Sequence, residues 1–294
     1  MRFVNPKWID NDTICIIYSK YSRLKYAERS VVLCPEGGPL KLKISTHELI
    51  GIRVHALNES DLMEYVQQGI GSSGETRVIG NHNLHSIYLM HHAPEMRRYY
   101  ERADLIHIDG MPIIWLGRLF GHRFNRSHRL TSMDWLPRLF AICESRGQKV
   151  FLLGSRPGVA EKAAQRFRSR FPALRMESHH GYFDRTPGSE GNERVIELIR
   201  RYEPDIVLVG MGMPIQENWI LQNADRLSAK VVWSLGAFMD YYADVKPLPP
   251  RWMGRLGLEW FYRLLSEPKR LWRRYILEPW YILFLVMKSA MKRS

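Results

Sequence analysis

In the stretch Asp104-Leu105-Ile106-His107-Ile108-Asp109-Gly110-Met111-Pro112 the carboxylate of Asp109 stands at the end of an apolar run. Leu105, Ile106 and Ile108 read as a short buried strand of a parallel sheet, and Pro112 opens a helix-like apolar segment to Phe120. Open α/β sheets bind ligands in the crevice at the C-terminal ends of their strands, so Asp109 would put a proton-accepting group at that rim. The same pattern also fits an N-cap of the following helix.

Other strings suit an anionic ligand. Gly154-Ser155-Arg156-Pro157-Gly158 and Gly210-Met211-Gly212-Met213-Pro214 each put glycine beside a helix start, where amides and the helix dipole favour an anion. Neither is a GxGxxG or a GxxxxGK[ST] motif. Gln216 and Glu217 open a helix at the same edge: an amide there can read a sugar or base, and a glutamate there can simply favour the dipole. Arg129 precedes a natural cap at Thr131 or Ser132, with Asp134 in the first turn, and could grip a diphosphate bidentately. His82, His85, His91 and His92 have no Asp, Glu or Cys partners nearby for a tetrahedral site, so no metal is expected. Asp10-Asn11-Asp12 resembles a DxD metal motif but reads as a solvated turn.

The elements that must position these groups alternate. Strand-like runs at Ile50 to Val54, Arg77 to Gly80, Leu105 to Ile108, Lys149 to Gly154, Asp205 to Gly210 and Lys230 to Trp233 alternate with helical segments. Each ends in glycine or a polar residue. That rhythm predicts an α/β fold with a doubly wound, mostly parallel sheet over residues 49–245. Residues 1–48 form a short β-rich extension, with strands at Ile14 to Tyr18 and Ser30 to Cys34 and a turn at Pro35 to Pro39. Lys246-Pro247-Leu248-Pro249-Pro250 breaks the rhythm, and 246–294 is a helical tail.

The net charge of +13 calls for an anionic partner: nucleic acid, phosphorylated substrate or anionic membrane. From Arg251 to Ser294 there are ten Lys/Arg against three Glu. Four tryptophans (Trp252, Trp260, Trp272, Trp280) are interleaved with those arginines. Leu256, Trp260, Leu264 and Leu271 fall near one helical face, with Arg263, Arg270, Arg273 and Arg274 on or beside another. This suits a helix pair lying in a headgroup layer, not a span, because the longest apolar run, Pro279 to Met287, is about half the roughly 18 residues needed. A C-terminal helix packed on the domain is the plainer alternative. Cys15, Cys34 and Cys143 are widely spaced and in no CxxC arrangement, which fits a reducing compartment. The N-terminus has no signal-peptide core.

Taken in order, Asp109-Gly110; Arg129 with Thr131 and Asp134; Phe151-Leu152-Leu153-Gly154 with Pro157-Gly158; Gly181-Tyr182-Phe183; Gly210 with Pro214, Gln216-Glu217 and Trp219; and Gly257-Leu258-Glu259-Trp260 with Arg263, Pro268 and Arg270 resemble the WecG/TagA/CpsF glycosyltransferases. The resemblance covers about Leu49 to Arg274. It implies a bacterial enzyme of surface-polysaccharide or wall teichoic acid synthesis. Such an enzyme moves a sugar from a UDP-sugar, with inversion, to a sugar on undecaprenyl diphosphate. It implies no metal or other cofactor and work at the cytoplasmic face of the inner membrane, held peripherally on its anionic surface. Asp109 matches the general base. Asn83 matches the Asn of a Thr-x-Asn segment whose Thr is Asn81 here. Gln216 and Glu217 match a donor-side PxQE motif, and Arg263, Arg270 and Arg273 match arginines that close over the diphosphate. Ser132 stands where Gly is usual after Arg-x-Thr, and Ala243-Asp244 with Leu248-Pro249-Pro250 replaces Ala-Gly with Arg-Ala-Pro. The donor and acceptor pocket would draw on Asn81, Asn83, Arg129, Thr131, Asp134, Gly154, Gly210, Gly212, Gln216 and Glu217.

Two other classes compete. A non-catalytic basic module binding nucleic acid or a membrane accounts for the charge, but the tail's Ile282-Leu283-Phe284-Leu285-Val286 suits lipid better than bases, so no nucleic acid is expected. A nucleotide-sugar or NAD-linked oxidoreductase would call for a GxGxxG with an acidic partner. A homo-oligomer is compatible with all of these.

Overall fold

The computed structural model describes residues 44–250, 253 and 257–291. The strands expected at Ile14 to Tyr18 and Ser30 to Cys34, the turn at Pro35 to Pro39, the Asp10 to Asp12 triplet, Trp252 and Leu256 lie outside the described residues.

The first described element is a hairpin. β1 (Ser45–Leu49) and β2 (Ile52–Ala56) pair antiparallel, with Leu49 opposite Ile52. The sequence reading placed Ile50 to Val54 as the first strand of the parallel rhythm. Instead Ile50 and Gly51 both take positive φ, 41° and 81°, and reverse the chain there. A two-residue turn of that handedness matches the twist of paired strands, so the flanking runs bond to each other.

The α/β rhythm follows. α1 (Glu59–Ile70) is capped by Asn58, whose Oδ1 accepts from the Ser60 and Asp61 amides while Asp61 accepts from the Asn58 amide. Then come β3 (Arg77–His82), α2 (Leu84–His92), α3 (Pro94–Arg102), β4 (Leu105–Ile108), α4 (Met111–Leu119) and α5 (Ser132–Ser145). β5 (Lys149–Gly154), α6 (Val159–Arg170), β6 (Arg175–His179), α7 (Glu190–Tyr202), β7 (Ile206–Gly210), α8 (Ile215–Asn223), β8 (Val231–Ser234) and α9 (Phe238–Tyr242) complete it. The tail is α10 (Glu259–Ser266), α11 (Pro268–Trp272), a π-helical turn (Arg273–Leu277) and α12 (Glu278–Met291).

β3 to β8 form one six-stranded sheet in the order β4-β3-β8-β7-β5-β6, every pair parallel. Side chains alternate across it. Ile79, Leu105, Val150, Leu152, Ile206, Leu208, Val231 and Trp233 face a core shared with α1, α5, α6 and α9. Val78, Ile106, Phe151, Leu153, Val207, Val209 and Val232 face α3, α7 and α8. With helices on both faces the inner strands are mostly apolar, which is why β5, β7 and β8 were legible as runs, whereas the edge strand β6, with Arg175 and Glu177 exposed, was not. Every strand therefore ends on one rim, and the polar residues that follow the strands meet there. No helix among the described residues is long and apolar enough to cross a membrane.

Candidate active site

The rim has two halves. Its β4–β3 half carries ionisable groups. Asp109 follows β4 directly, and its amide donates to the His82 carbonyl at 2.9 Å, continuing the sheet ladder. It is not a cap: the residue preceding α4 is Gly110, at φ 118°, with no side-chain cap. The Asp109 carboxylate has the Asn83 side chain beside it, with Arg263 and Arg129 as neighbouring cations and Glu259 as a neighbouring anion. Burial, reinforced by Glu259, holds its carboxyl above the usual carboxylate range despite the arginines.

Asn83 is the N-cap of α2, its Oδ1 accepting from the Ser86 amide at 3.1 Å and from Arg274 Nη2 at 3.4 Å. Arg263 lies over the Tyr241 ring at 5.4 Å, and its Nε is buried with no hydrogen-bond partner among the described residues. Arg129 leaves a bridge to Ile108 at the end of β4. Its Nη1 donates to both Glu259 oxygens (3.2 and 3.3 Å) and its Nη2 to Asp134 (3.2 Å). Thr131 precedes α5, and its Oγ1 is buried without a partner among the described residues. His85 Nδ1 meets both oxygens of the buried Glu278, so α12 is pinned to α2 next to Asn83. Burial presses the Arg274 guanidinium below its ordinary range, with Glu278 and Asp109 among its partners.

The β8–β7–β5 half is closed by backbone. A Cβ on Gly154 would sit 2.3 Å from the Gly210 carbonyl oxygen, and one on Gly210 would sit 2.6 Å from that of Gly236. Ser155 and Gly212, two of the turn amides expected to cradle phosphate, have internal acceptors. Ser155 N–H donates to Gly210 O at 3.1 Å, and Gly181 N–H to Ser155 O at 2.9 Å. Gly212 and Gly236 N–H both donate to Gln216 Oε1, at 3.1 and 3.0 Å. Gln216 Nε2 donates to Glu217 Oε1 at 2.7 Å. Gln216 and Glu217 are fully buried. Burial lifts the Glu217 carboxyl to about 7, and its Oε2 has no partner among the described residues. Asn81 stitches the two halves: its Nδ2 donates to Ser234 O at 2.8 Å and its carbonyl accepts from Tyr100 Oη at 2.9 Å.

The structure thus gathers Asp109, Asn83, Arg129 and Arg263 at one place, with Asp134 on the outer side of Arg129. Asn81, Gly154, Gly210, Gly212, Gln216 and Glu217 lie along the neighbouring rim in internal contacts. Arg270 and Arg273 are not at Asp109. Arg270 is exposed and paired with Glu267 at 2.6 and 2.8 Å. Glu267 also holds Lys246 at 3.4 Å, and Lys246 holds Asp240 at 3.0 Å. Arg273 is exposed beside the Trp272 ring. Sequence reasoning assigned no site role to Arg274, Glu259 or the His85–Glu278 pair. The tail arginines are alike in sequence; the break at Glu267-Pro268 sets which of them turn inward. Glu259 was visible as part of Gly257-Leu258-Glu259-Trp260, but nothing local showed that it would reach Arg129.

Chemically, the β4–β3 half offers a partly buried carboxylate able to take a proton, beside guanidinium groups able to hold phosphate oxygens. Three arginines (129, 263, 274) here face four carboxylates (Asp109, Asp134, Glu259, Glu278), so an incoming dianion needs either an acid to withdraw or another cation to arrive.

The glycosyl transferase family WecG/TagA/CpsF matches residues 47–294. Among curated proteins, the N-acetylglucosaminyldiphosphoundecaprenol N-acetyl-beta-D-mannosaminyltransferase of Staphylococcus aureus (strain MRSA252) is 29% identical over 205 residues, 66% of this chain and 77% of that protein. The proteins of the same description from strains MW2 and NCTC 8325 / PS 47 are each 28% identical over the same shares. A parallel sheet whose rim joins an acid to arginines from a C-terminal helical segment, matched by that family over residues 47–294, belongs to the WecG/TagA/CpsF family of glycosyl transferases.

Proposed function

We propose that this glycosyltransferase moves a hexose or N-acetylhexosamine-type sugar from a UDP-sugar to a sugar carried on undecaprenyl diphosphate, with inversion and without a metal. The observation that carries the reading is the partly buried Asp109 carboxylate, with Asn83, Arg263 and Arg129 as its neighbours. The relatives' description names an acceptor of this kind, N-acetylglucosaminyldiphosphoundecaprenol, and N-acetylmannosamine as the sugar moved.

The chemistry is one displacement. An acceptor hydroxyl oxygen attacks the anomeric carbon, the bond from that carbon to the UDP oxygen breaks, and the hydroxyl proton passes to Asp109. General-base help of this kind contributes about 10²–10⁴-fold. UDP leaves with added negative charge, which guanidinium groups must offset. Arg129 and Arg263 stand at the carboxylate. Arg270 and Arg273 are held outside by Glu267 and the surface, and they supply the missing cations when the tail closes over a diphosphate. Thr131 Oγ1 and Arg263 Nε, both lacking partners among the described residues, are the polar atoms a sugar or phosphate oxygen satisfies. Gln216 acts by holding the Gly212 and Gly236 turns in register.

The tail supplies the membrane. Trp280, Leu283, Phe284, Met287 and Met291 of α12 are exposed, as are Trp260, Phe261 and Leu265 of α10. Aromatic and arginine-rich helices of this kind lie in the headgroup layer, here at the cytoplasmic face of the bacterial inner membrane, where the lipid acceptor resides. The test is purified full-length chain with a panel of UDP-sugars, UDP-N-acetylmannosamine first, and short-chain prenyl-diphosphate N-acetylglucosamine. Sugar-dependent release of UDP with a disaccharide-lipid product is expected. Failure of every donor sinks the proposal.

A further inference from the structure

We infer that α4 and the loop after it form a second membrane-contact element, one that seats the body of the protein itself on an anionic bilayer beside Asp109. The inference rests on the membrane reading of the tail and adds residues outside that tail.

The charge pattern is one-sided. From Gly110 to Met133 the sequence contains no Asp or Glu, but it contains Arg118, Arg123, Arg126, Arg129 and two histidines. α4 buries Ile113, Ile114, Leu116 and Gly117. That face shares a core with Leu49, Ile52 and Val54 of the hairpin and with Ile282 of α12. The opposite face presents Trp115 and Leu119, one helical turn apart and therefore adjacent on the surface, 49% and 68% exposed. Arg118 lies beside them, exposed, with its Nε donating to the Phe124 carbonyl, and Arg123 is exposed in the loop. An exposed Trp/Leu pair rimmed by arginines, with no acid in the segment, has the composition of a surface-lying helix.

The patch is continuous with the tail. Gly257 lies against the Trp115 ring, so that a Cβ there would be 3.2 Å from Trp115 Cη2. Gly257 leads into α10, where Trp260, Phe261 and Leu265 are exposed. The occupant is therefore lipid carrying negative charge, not a polar partner chain: the surface offers rings, methyls and guanidinium groups in the arrangement that headgroup phosphates and acyl chains meet.

The placement has a consequence for the acceptor. Trp115 is about 6 Å along the helix axis from Met111 at 1.5 Å per residue. A headgroup layer is roughly 5–8 Å deep on each side of the hydrocarbon. With α4 lying in that layer the 6 Å runs along the surface, so Asp109, two residues before α4, stays within reach of a lipid diphosphate in the same layer.

The test is co-sedimentation of the full-length chain with vesicles of phosphatidylglycerol and phosphatidylethanolamine, and with phosphatidylcholine alone. Leu119→Glu should weaken binding to the anionic vesicles about tenfold while turnover of a water-soluble short-chain acceptor stays at the wild-type rate. Trp280→Glu reports on the tail separately. In a Cys15→Ser, Cys34→Ser background, an environment-sensitive dye on Leu119→Cys should shift to the blue with anionic vesicles, which checks the contact without a charge substitution. If Trp280→Glu loses binding while Leu119→Glu and the dye show no change, the α4 inference is overturned and the tail reading stands. If wild type binds neither vesicle, both fall, and product formation from the short-chain acceptor still decides the transferase reading on its own. A Leu119→Glu effect confined to self-association without vesicles also overturns the inference.

Discussion

The two halves of the sheet rim begin from the same architecture and end in opposite electrostatic states. β5 and β7 end in Gly154 and Gly210, which pack backbone to backbone with each other and with Gly236 after β8, and the Ser155, Gly212 and Gly236 amides go to a neighbouring carbonyl and to Gln216. At β4 and β3 the strands end in Asp109 and Asn83, and the tail brings Arg263 and Arg274 against them. Glycine after a strand looks like a phosphate cradle in sequence, yet an amide that already has an acceptor has little left for a ligand. Charges that remain imperfectly compensated mark the half where an ionic substrate gains most. The comparison assigns chemistry to one half and rigidity to the other, and variants can be ranked by how hard they press on that division.

The largest effect is expected from Asp109→Asn, with kcat reduced about 10²–10⁴-fold and thermal stability retained. Steady-state turnover beside a melting curve reads both, and near-normal turnover in a folded variant would remove the base from the mechanism. On the other half, Gly154→Ala should act on folding. Its Cβ would meet the Gly210 carbonyl at 2.3 Å, and overpacking of this sort costs about 1–3 kcal/mol. A lowered melting temperature with unchanged KM in the surviving folded fraction is the expected pair of results.

Glu217→Gln sharpens the same point through pH. The Glu217 carboxyl is raised to about 7 from an ordinary 4.5, so the folded state binds more protons than the unfolded between those values, and stability falls as pH rises through that window. The full loss is on the order of 3 kcal/mol. The glutamine variant lacks this titration, so it should melt higher than wild type at pH 8 and nearly equal to it at pH 5. A wild type whose stability is flat from pH 5 to 8 would contradict a buried carboxyl held up by desolvation. Gln216→Leu should cost about 1–3 kcal/mol for each of the Gly212 and Gly236 amides left unpaired. A KM change for donor without loss of stability would move Gln216 to the substrate side of the division.

The smallest effect belongs to Glu259→Gln. Burial and the Glu259 charge both hold Asp109 above its ordinary range, so removing that charge should shift the acidic limb of the kcat/KM profile towards lower pH. The variant also frees Arg129 from one of its two carboxylates, and donor KM should fall. A rise in KM would show instead that Glu259 positions Arg129.

The sequence by itself determined most of the parallel sheet, because strands buried on both faces are mostly apolar, and the glycine or polar residue after each run marks the common rim; the polar edge strand β6 was not legible in that way. It also determined that a basic, aromatic segment follows the sheet. It misread Ile50 to Val54, because the two positive-φ residues that reverse the chain at Ile50-Gly51 include an isoleucine, which seldom adopts that conformation. Tertiary structure alone decided which rim residues share a site. Arg263 and Arg274 turn inward while Arg270 and Arg273 stay outside: Arg263 packs on Tyr241 before the break at Glu267-Pro268, and beyond it Arg274 meets Asn83 where the His85–Glu278 pair holds the chain. It alone decided that the Gly212 and Gly236 amides would both go to Gln216 and the Ser155 amide to Gly210, because hydrogen bonds between strand ends depend on which strands become neighbours, and β5, β7 and β8 are brought together only by crossovers of the folded chain.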